Sequence, residues 1–299
     1  MFPYDTECSH LLCIAHAHRH LEPYQDANKT ENKIMTEDIR NRRLHALERL
    51  LDVVDTLRER CPWNSVQTNE SLRPNTIEEA MELADALLGS DKRKIEKELG
   101  DVLLHVVLYA RIGEEKGDYD IASVCDALRE KLIFRHPHIY GNDHVTDANE
   151  VLDHWELLKM KEKDGNKTVL GGVPAALPSL IKAERIQEKA AHVGFDWDKK
   201  EDVWEKVREE MAEVEAELKS GNAVNTEKEF GDLLFAVVNA ARLYGVRPDN
   251  ALEKTNRKFI ARFNHIERRA KEQGHHINEL TLAQMDALWD EAKQMKLGE

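Results

Sequence analysis

The sequence has few of the residues that mark disulfide-stapled, β-rich or membrane-spanning proteins. Its 299 residues include four cysteines, 14 glycines and 8 prolines, and aromatic residues make up 6% of the chain. The cysteines lack the regular spacing of a disulfide framework, which favours a reducing, cytoplasmic setting. No apolar run approaches the roughly 20 residues of a membrane helix, so no membrane association is expected. Turn-rich β patterning is nearly absent, and helices are favoured.

Charged residues are abundant instead, and most of them are acidic. Charged residues make up 33% of the sequence and hydrophobic residues 41%, with a formal net charge of -14. The hydrophobic fraction suffices for packed cores, which argues against a disordered chain. The negative charge argues against a nonspecific nucleic-acid binder, whose surface is basic. It does not exclude a phosphate substrate, because a metal ion held by acids can supply positive charge.

Five acids occur twice in the same arrangement, 131 residues apart. Each copy reads E-E-x-x-E, then fifteen intervening residues, then E-x-x-D. The first copy consists of Glu78, Glu79, Glu82, Glu98 and Asp101, and the second of Glu209, Glu210, Glu213, Glu229 and Asp232. Five acids in register through two copies indicate an internal duplication.

The spacing of the acids places them on helix faces. Residues three or four apart lie side by side on a helix, so Glu98 and Asp101 project together. Residues 76–88 and 91–112 both have helical apolar spacing, and the short break between them lets two helices fold back antiparallel. Clustered carboxylates repel one another unless a cation lies among them. Oxygen ligands without sulfur or imidazole suit a hard ion, so the pattern predicts Mg²⁺, with Mn²⁺ as a substitute.

The patterning divides the chain into a leader, two modules and a linker. Residues 1–34 lack sustained periodicity and are interpreted as a disordered leader or tag; their cysteines and histidines match no usual zinc spacing. The N-terminal module is assigned to residues 35–164 and the C-terminal module to residues 179–299. The linker, residues 165–178, is rich in glycine and proline.

The expected fold is all-α, with two tandem helical-bundle modules related by the duplication. In the first module, helices are predicted near residues 39–60, 76–88, 91–112, 121–134 and 151–163. In the second, they are predicted near residues 179–192, 201–219, 225–244, 248–272 and 281–296. Pro137 is expected to end the fourth helix, because proline removes a backbone donor and restricts the residue before it.

Several motifs resemble those of a known superfamily. E-E-x-x-E followed by E-x-x-D is typical of the all-α nucleoside triphosphate pyrophosphohydrolases, which include the MazG family and the dimeric dUTPases, and the tandem form resembles MazG proteins. Further matching segments are Cys61-Pro62-Trp63, Arg135-His136-Pro137-His138, Gly172-Val173-Pro174 and Val193-Gly194-Phe195-Asp196-Trp197. The resemblance covers about residues 39–296. The chain departs from it at Asn64, where such proteins usually carry aspartate, which bears on the polar role of that loop rather than on the fold.

The resemblance implies hydrolysis of a nucleoside triphosphate, ATP among them, to the monophosphate and diphosphate, in clearance of the nucleotide pool. The implied metal ligands are Glu210, Glu213, Glu229 and Asp232. Glu209 is the candidate for orienting or activating the attacking water. Mg²⁺ ions held by such acids bridge to phosphate oxygens and lower the pKa of a bound water.

The C-terminal module also carries cationic candidates. Residues 256–262 match the N-x-K-F-x-x-R motif of the superfamily. Lys258 and Arg262 are four residues apart on a helix, so both cations can reach one triphosphate tail, and both are assigned catalytic and substrate-binding roles. Asn256 suits a contact to the nucleoside or to a phosphate.

Two more substrate candidates lie closer to the acids in sequence. Asn239 is seven residues after Asp232, which places it two turns along the same side of the helix. Trp197 is either a packing anchor or a platform for base stacking.

The first module keeps only part of this set. Lys131 and Arg135 align with the cations of the second module, whereas Leu108 and Arg129 stand where the second module has asparagines. The second module is therefore expected to carry most of the activity, and the first-module acids are candidates for an inactive equivalent site. His105, one turn after Asp101, is expected to be a satisfied buried residue rather than a metal ligand.

Three other interpretations remain open. Acidic helix faces are often solvated surface, although the duplication favours a metal site. A ferritin-like di-iron bundle also groups carboxylates but needs paired E-x-x-H motifs, and only Glu272 with His275 matches in the helical region. A non-catalytic scaffold that binds partners fits the first module better than the whole chain.

The apolar faces of the acid-bearing helices predict a homodimer. A short amphipathic unit needs a partner to cover its apolar stripe, and the resemblance implies pairing of modules.

Overall fold

The computed structural model describes residues 37–141 and 168–298, together with residues 151, 158 and 159. In these ranges it contains ten helices, two short 3₁₀ turns and no strand. The chain divides into two compact units, Met1–Leu158 and Lys159–Glu299. The predicted all-α class with tandem modules is confirmed.

The first unit is built around one long central helix. Its described helices are α1 (Glu37–Arg60), α2 (Asn69–Leu87), α3 (Lys92–Lys116), α4 (Ile121–Arg135) and α5 (Pro137–Tyr140). Helix α3 packs against α1, α2 and α4, with the most extensive contact to α2. The α2–α3 pair is the helical hairpin that carries the first set of acids.

Local signals define the ends of this hairpin. The Thr68 hydroxyl accepts the backbone N–H of Ser71, and the Ser71 hydroxyl accepts that of Thr68, which starts α2 at Asn69. Asp91 caps α3 by accepting two backbone N–H groups. Helix α3 ends at Lys116, and the capping residue Gly117 has a φ of 72°, the left-handed conformation that glycine adopts without strain.

The predicted start of α2, residue 76, was seven residues too late. Pro74 lies inside the helix rather than before it. The capping residues Thr68 and Ser71 lie outside the apolar period from which the prediction was made, and they extend the helix by about two turns.

The core of the first unit lies where α1, α2 and α3 meet. It consists of Val54, Leu72, Val107, Leu108 and Ile112, none more than 3% exposed. Full burial of such side chains stabilises the fold by about 1.5–3 kcal/mol each. These residues fix α3 against α1 and thereby fix the acid face of α3.

The second unit repeats the hairpin in a different helical setting. Its helices are α6 (Ser179–Ala191), α7 (Val203–Ser220), α8 (Ala223–Leu243), α9 (Pro248–Glu272) and α10 (Leu282–Gln294). Helix α7 packs along α8, α8 also meets α6, and α9 packs mainly against α10 and α6. The core of the α9–α10 pair is Ile266, Ala270, Leu280 and Leu288.

The structure tests most of the predicted helices. Nine of the ten predicted helices have a counterpart with closely similar bounds, except at the start of α2. Helix α4 ends at Arg135, and Pro137 begins the short helix α5. The predicted leader and most of the predicted helix at 151–163 lie outside the described residues. None of the described helices is both long and apolar enough to cross a membrane.

Candidate metal centre

The second hairpin brings three of its acids into one cluster. Glu210 comes from α7, and Glu229 and Asp232 come from α8; one carboxylate oxygen of each lies within 4.8 Å of those of the other two. Gly221, with φ of 74°, and the capping residue Asn222 form the tight connection that folds α8 back onto α7. The sequence spacing therefore places these three predicted ligands together.

The first hairpin forms the same cluster. Glu79 from α2 and Glu98 and Asp101 from α3 also bring their carboxylate oxygens within 4.8 Å of one another. These three residues are the register equivalents of the second cluster, 131 residues earlier. The duplication is thus present in the side-chain geometry as well as in the sequence.

The fourth predicted ligand, Glu213, and its equivalent in the first module, Glu82, lie beside their clusters. Burial and the charges of Glu213 and Asp232 raise the pKa of the Glu229 carboxyl above its ordinary value. In the first hairpin, the charge of Glu98 is the main cause of a raised pKa at Glu82, followed by burial. In both hairpins, the neighbouring acids thus disfavour ionisation of one carboxyl group.

The donor chemistry of the second cluster fits a hard cation. Glu210 is only 5% exposed. Its Oε2 atom is buried and has no hydrogen-bond partner in the described part of the chain. A buried carboxylate oxygen without a donor is costly unless a cation satisfies it. Together with Glu229 and Asp232, this atom offers the all-oxygen ligation that Mg²⁺ and Mn²⁺ prefer.

Lysines in contact with the acids were not predicted from the sequence. Lys206 Nζ lies 2.6 Å from Glu210 Oε1 and 2.8 Å from Glu209 Oε1, and these hydrogen bonds raise the pKa of Lys206. In the first hairpin, Lys97 Nζ contacts Glu98 and Asp101 at 3.2 and 3.1 Å. The signal was available, because Lys206 precedes the two glutamates by three and four residues on one helix face.

The outer acid of each E-E pair lies away from the cluster. Glu209 is exposed and bonds to Lys206, and Glu78 is also exposed. The role of Glu209 toward water stays a prediction.

The structure brings Asn239 and the Trp197 segment together through a residue that sequence reasoning missed. Arg242 donates to Asn239 Oδ1 through Nε at 3.0 Å and Nη2 at 2.8 Å. The same guanidinium forms a two-point ion pair with Asp196, at 3.0 and 2.5 Å. Asp196 also accepts the backbone N–H of Trp197. The available signal was the spacing of three residues between Asn239 and Arg242.

The cationic motif on α9 lies apart from α7 within this chain. Helix α9 contacts α6, α8 and α10, and no described part of it packs against α7. Lys258 is half-buried beside the backbone of Gly298. Arg262 is buried, donates to the Leu297 carbonyl at 3.3 Å and lies over the Trp289 ring. Asn256 is exposed, with a 3.5 Å contact to Glu253. Their substrate roles stay predictions.

The first module has a core residue at the position where the second module has Asn239. Leu108, the register equivalent of Asn239, is 3% exposed and belongs to the core of the unit. His105 is buried and hydrogen-bonded to Thr76 at 2.9 Å, as the expected satisfied histidine. Thr76 also bonds to the Tyr109 hydroxyl at 2.6 Å. On α4, Lys131 is exposed and Arg135 is half-buried.

Comparison with known proteins agrees with this geometry. The family model of the MazG nucleotide pyrophosphohydrolase domain matches the chain twice, over residues 67–140 and 199–267. The nucleoside triphosphate pyrophosphohydrolase of Escherichia coli is 36% identical over 261 residues, covering 85% of this chain and 99% of that protein. The nucleoside triphosphate pyrophosphohydrolase/pyrophosphatase MazG of Thermotoga maritima is 41% identical over 249 residues, covering 82% of this chain and 95% of that protein.

A shorter match has the same name. The nucleoside triphosphate pyrophosphohydrolase of Mycobacterium tuberculosis is 36% identical over 153 residues, covering 50% of this chain and 46% of that protein. Each of the two family-model matches contains one complete acid hairpin. The E. coli and T. maritima proteins are covered over nearly their whole lengths. The chain therefore belongs to the MazG nucleotide pyrophosphohydrolase family.

Proposed function

We propose that this protein is a Mg²⁺-dependent nucleoside triphosphate pyrophosphohydrolase, converting NTP or dNTP and water to the monophosphate and diphosphate. One observation carries the proposal: a three-carboxylate cluster from two antiparallel helices, with a buried Glu210 oxygen that has no hydrogen-bond partner among the described residues. Membership of the family, and the names of the relatives, support the reaction class.

The metal ligands are Glu210, Glu229 and Asp232, with Glu213 beside Glu229. When bound there, Mg²⁺ neutralises phosphate charge and lowers the pKa of a coordinated water, and Mn²⁺ serves as a substitute. Glu209, outside the cluster, is the acid that orients or deprotonates the attacking water.

The cations and amides of the second unit hold the substrate. Lys258 and Arg262 neutralise the triphosphate, which the acids alone would repel. Asn239 and Asn256 donate hydrogen bonds to the nucleotide, and Trp197 stacks on its base. Arg262 must exchange its contact with the Leu297 carbonyl for a phosphate oxygen to take this role.

The two modules divide the work. The second module carries most of the turnover, because its hairpin combines the acid cluster with Asn239. The first has the acid cluster, but Leu108 fills the equivalent position as part of the core. A non-catalytic scaffold or partner-binding role for the first module is the second candidate function, and this burial favours it.

We further propose that the protein is a homodimer. Three apolar residues on each acid-bearing helix are more than 40% exposed at equivalent positions: Leu99, Leu103 and Val106 on α3, and Phe230, Leu234 and Val237 on α8. Such a stripe at i, i+4 and i+7 suits helix packing against a partner. In light scattering at micromolar concentration a dimer is expected, Leu234→Glu should weaken it, and a monomeric wild type would contradict the proposal.

A cytoplasmic role in clearing the nucleotide pool completes the proposal. The two described cysteines, Cys61 and Cys125, are free thiols, which suits a reducing compartment.

A pyrophosphate-release assay tests the reaction. With Mg²⁺, a panel of NTPs and dNTPs should give monophosphate and diphosphate in equal amounts, and excess chelator should abolish release. Ca²⁺ should bind yet support little turnover, because its looser coordination positions water and phosphate poorly. Asp232→Asn should remove activity with helical content retained, whereas the matched control Asp101→Asn should keep most of it. Full activity in chelator, or a normally active Asp232→Asn protein, would overturn the metal-dependent mechanism, whereas no diphosphate release from any nucleotide would favour a scaffold.

A further inference from the structure

Arg242 occupies a position where it contacts two parts of the candidate nucleotide site at once. It lies near the end of α8, and its side chain is 14% exposed. Its Nη1 and Nη2 atoms donate to the Asp196 carboxylate at 3.0 and 2.5 Å. Two of its nitrogens hold Asn239 Oδ1 at 3.0 and 2.8 Å. A planar donor group that makes both contacts fixes their geometry more tightly than a single flexible ammonium would.

The hydrogen bonds from Arg242 determine the orientation of the Asn239 carboxamide. Arginine has five N–H donors and no acceptor, so only the oxygen of Asn239 can face it. The amide nitrogen must then point to the other side. Within the described ranges that Nδ2 group donates to no protein atom. Asn239 therefore presents two unused donors from a fixed carboxamide.

We propose that Arg242 is a positioning residue: it locks Asn239 as a hydrogen-bond donor toward an acceptor atom of the bound nucleotide, and it ties the Trp197 segment to the same place through Asp196. The inference rests on the proposed function, which it deepens. Without Arg242 the carboxamide rotates freely, and half of its orientations present an oxygen to the substrate. An oxygen facing a phosphate, ribose or carbonyl oxygen is repelled rather than bound.

The first module provides the contrast. Arg111 is the register equivalent of Arg242, 131 residues earlier. It pairs with Asp55 at 3.1 Å and Glu114 at 2.9 Å, and the residue three positions before it is the buried Leu108. Among the described residues, Arg111 thus hydrogen-bonds to no carboxamide that it could orient. The equivalent arginine contacts a carboxamide and a carboxylate in one module and pairs with two carboxylates in the other.

A double-mutant cycle tests the proposal. ATP hydrolysis with Mg²⁺ is measured for wild type, Arg242→Met, Asn239→Ala and the double variant, with Arg111→Met as the matched control. Arg242→Met should raise KM about tenfold with a smaller change in kcat, since it costs an oriented hydrogen bond. In the Asn239→Ala background the same change should have almost no further effect. Arg242→Lys keeps the charge but not the planar set of donors, so its KM should lie between those of wild type and Arg242→Met. Arg111→Met should leave KM unchanged.

Additive effects of Arg242→Met and Asn239→Ala would overturn the proposal. So would an Asp196→Ala variant with the full Arg242→Met phenotype, because Arg242 would then act only by anchoring the loop. Asn239→Asp provides a variant that keeps the acceptor for Arg242 and removes the donors: it should fold normally, with an unchanged Tm, and still show a raised KM. Inorganic tripolyphosphate in place of ATP locates the acceptor atom. If Asn239→Asp leaves the KM for tripolyphosphate unchanged, the acceptor belongs to the nucleoside. If it raises that KM, the acceptor belongs to the phosphates.

The side-chain resonances of Asn239 separate this inference from the proposed reaction. In ¹⁵N-labelled protein, the side-chain amide resonances of Asn239 should be sharp, because Arg242 holds the carboxamide in one orientation, and Arg242→Met should shift or broaden them. If the wild type hydrolyses no nucleotide, the proposed function fails while the spectra still report the orientation. If the wild type hydrolyses ATP but the Asn239 resonances are unchanged in Arg242→Met, the positioning role is wrong while the proposed function stands.

Discussion

The two acid hairpins carry the same carboxylates but differ in the residue two turns further along the second helix. On α3, the position seven residues after Asp101 is Leu108, which packs into the core. On α8, the position seven residues after Asp232 is Asn239, which is held by Arg242. Under the proposed function, the acids that hold the metal and the amide that contacts the nucleotide are therefore separable. A module can retain the first and lose the second through a single exchange of an amide for an apolar side chain.

Packing explains why the exchange is tolerated. Helix α3 is pressed against α1 at Val54 and against α2 at Leu72, so an apolar residue at position 108 adds to an existing core. Helix α8 contacts α6 and α7, and Asn239 is only half-buried there beside an arginine. The first module thus has a buried apolar side chain where the second has a half-buried amide with polar contacts.

The largest expected difference between the hairpins concerns Glu213 and Glu82. Glu213→Gln removes a carboxylate beside Glu229, and turnover should fall on the order of 100-fold or more, as for loss of a metal-holding charge. Glu82→Gln should leave most of the activity. Steady-state diphosphate release measures both, and a more damaging Glu82→Gln would reverse the assignment of the active module.

Next in size is a stability difference between the equivalent positions 108 and 239. Leu108→Asn places an amide in the core, and unfolding free energy should fall by about 2–5 kcal/mol through lost packing and an unpaired polar group. Asn239→Leu should barely change stability but should raise KM for ATP. Denaturant unfolding and kinetics on the same two proteins check this, and an unaffected Leu108→Asn protein would show that the position is not core.

Lys258 and Lys131 should differ by about one order of magnitude. Lys258→Ala removes the proposed phosphate contact, so KM should rise roughly tenfold while the Mg²⁺-induced rise in Tm is retained. Lys131→Ala, the matched change in the first module, should leave KM close to wild type. Equal effects would mean that both modules bind substrate.

The smallest expected effect is the stabilisation by Mg²⁺ and its dependence on pH. At ten times its Kd, Mg²⁺ should raise Tm by about 4 °C, because it binds the folded state alone. The raised pKa of Glu229 means that the folded protein binds this proton more tightly than the unfolded chain does. Without metal, the ionised Glu229 therefore costs stability above its folded pKa, and this cost disappears as the pH falls through that value.

Protons then compete with the metal. The Mg²⁺-induced rise in Tm should shrink as the pH is lowered toward the raised pKa of Glu229, and Asp232→Asn should reduce it at every pH. Thermal melts with and without Mg²⁺ over a pH series measure this. A Tm shift that grows at low pH would contradict it.

The helices and the pairing of the acids were predictable because they depend on neighbours in sequence. The apolar period of three to four residues identified most helices, and the same period placed Glu98 beside Asp101. The start of α2 was missed, since capping by Thr68 and Ser71 extends a helix beyond its apolar stripe. Lys206 was also missed, although it lies on the same helix face as the glutamates that it contacts.

The sequence by itself determined the all-α class, the duplication and the acids that meet across each hairpin, because helical periodicity and a tight connection are local properties. Only the tertiary structure decided that the Glu210 oxygen is buried without a partner among the described residues, that Leu108 is core and that Arg242 joins Asn239 to Asp196, which precedes Arg242 by 46 residues. Burial and long-range hydrogen bonds depend on which elements pack together, and no local period specifies that. The acid cluster could therefore be predicted from spacing, whereas the orientation of the amide beyond it could not.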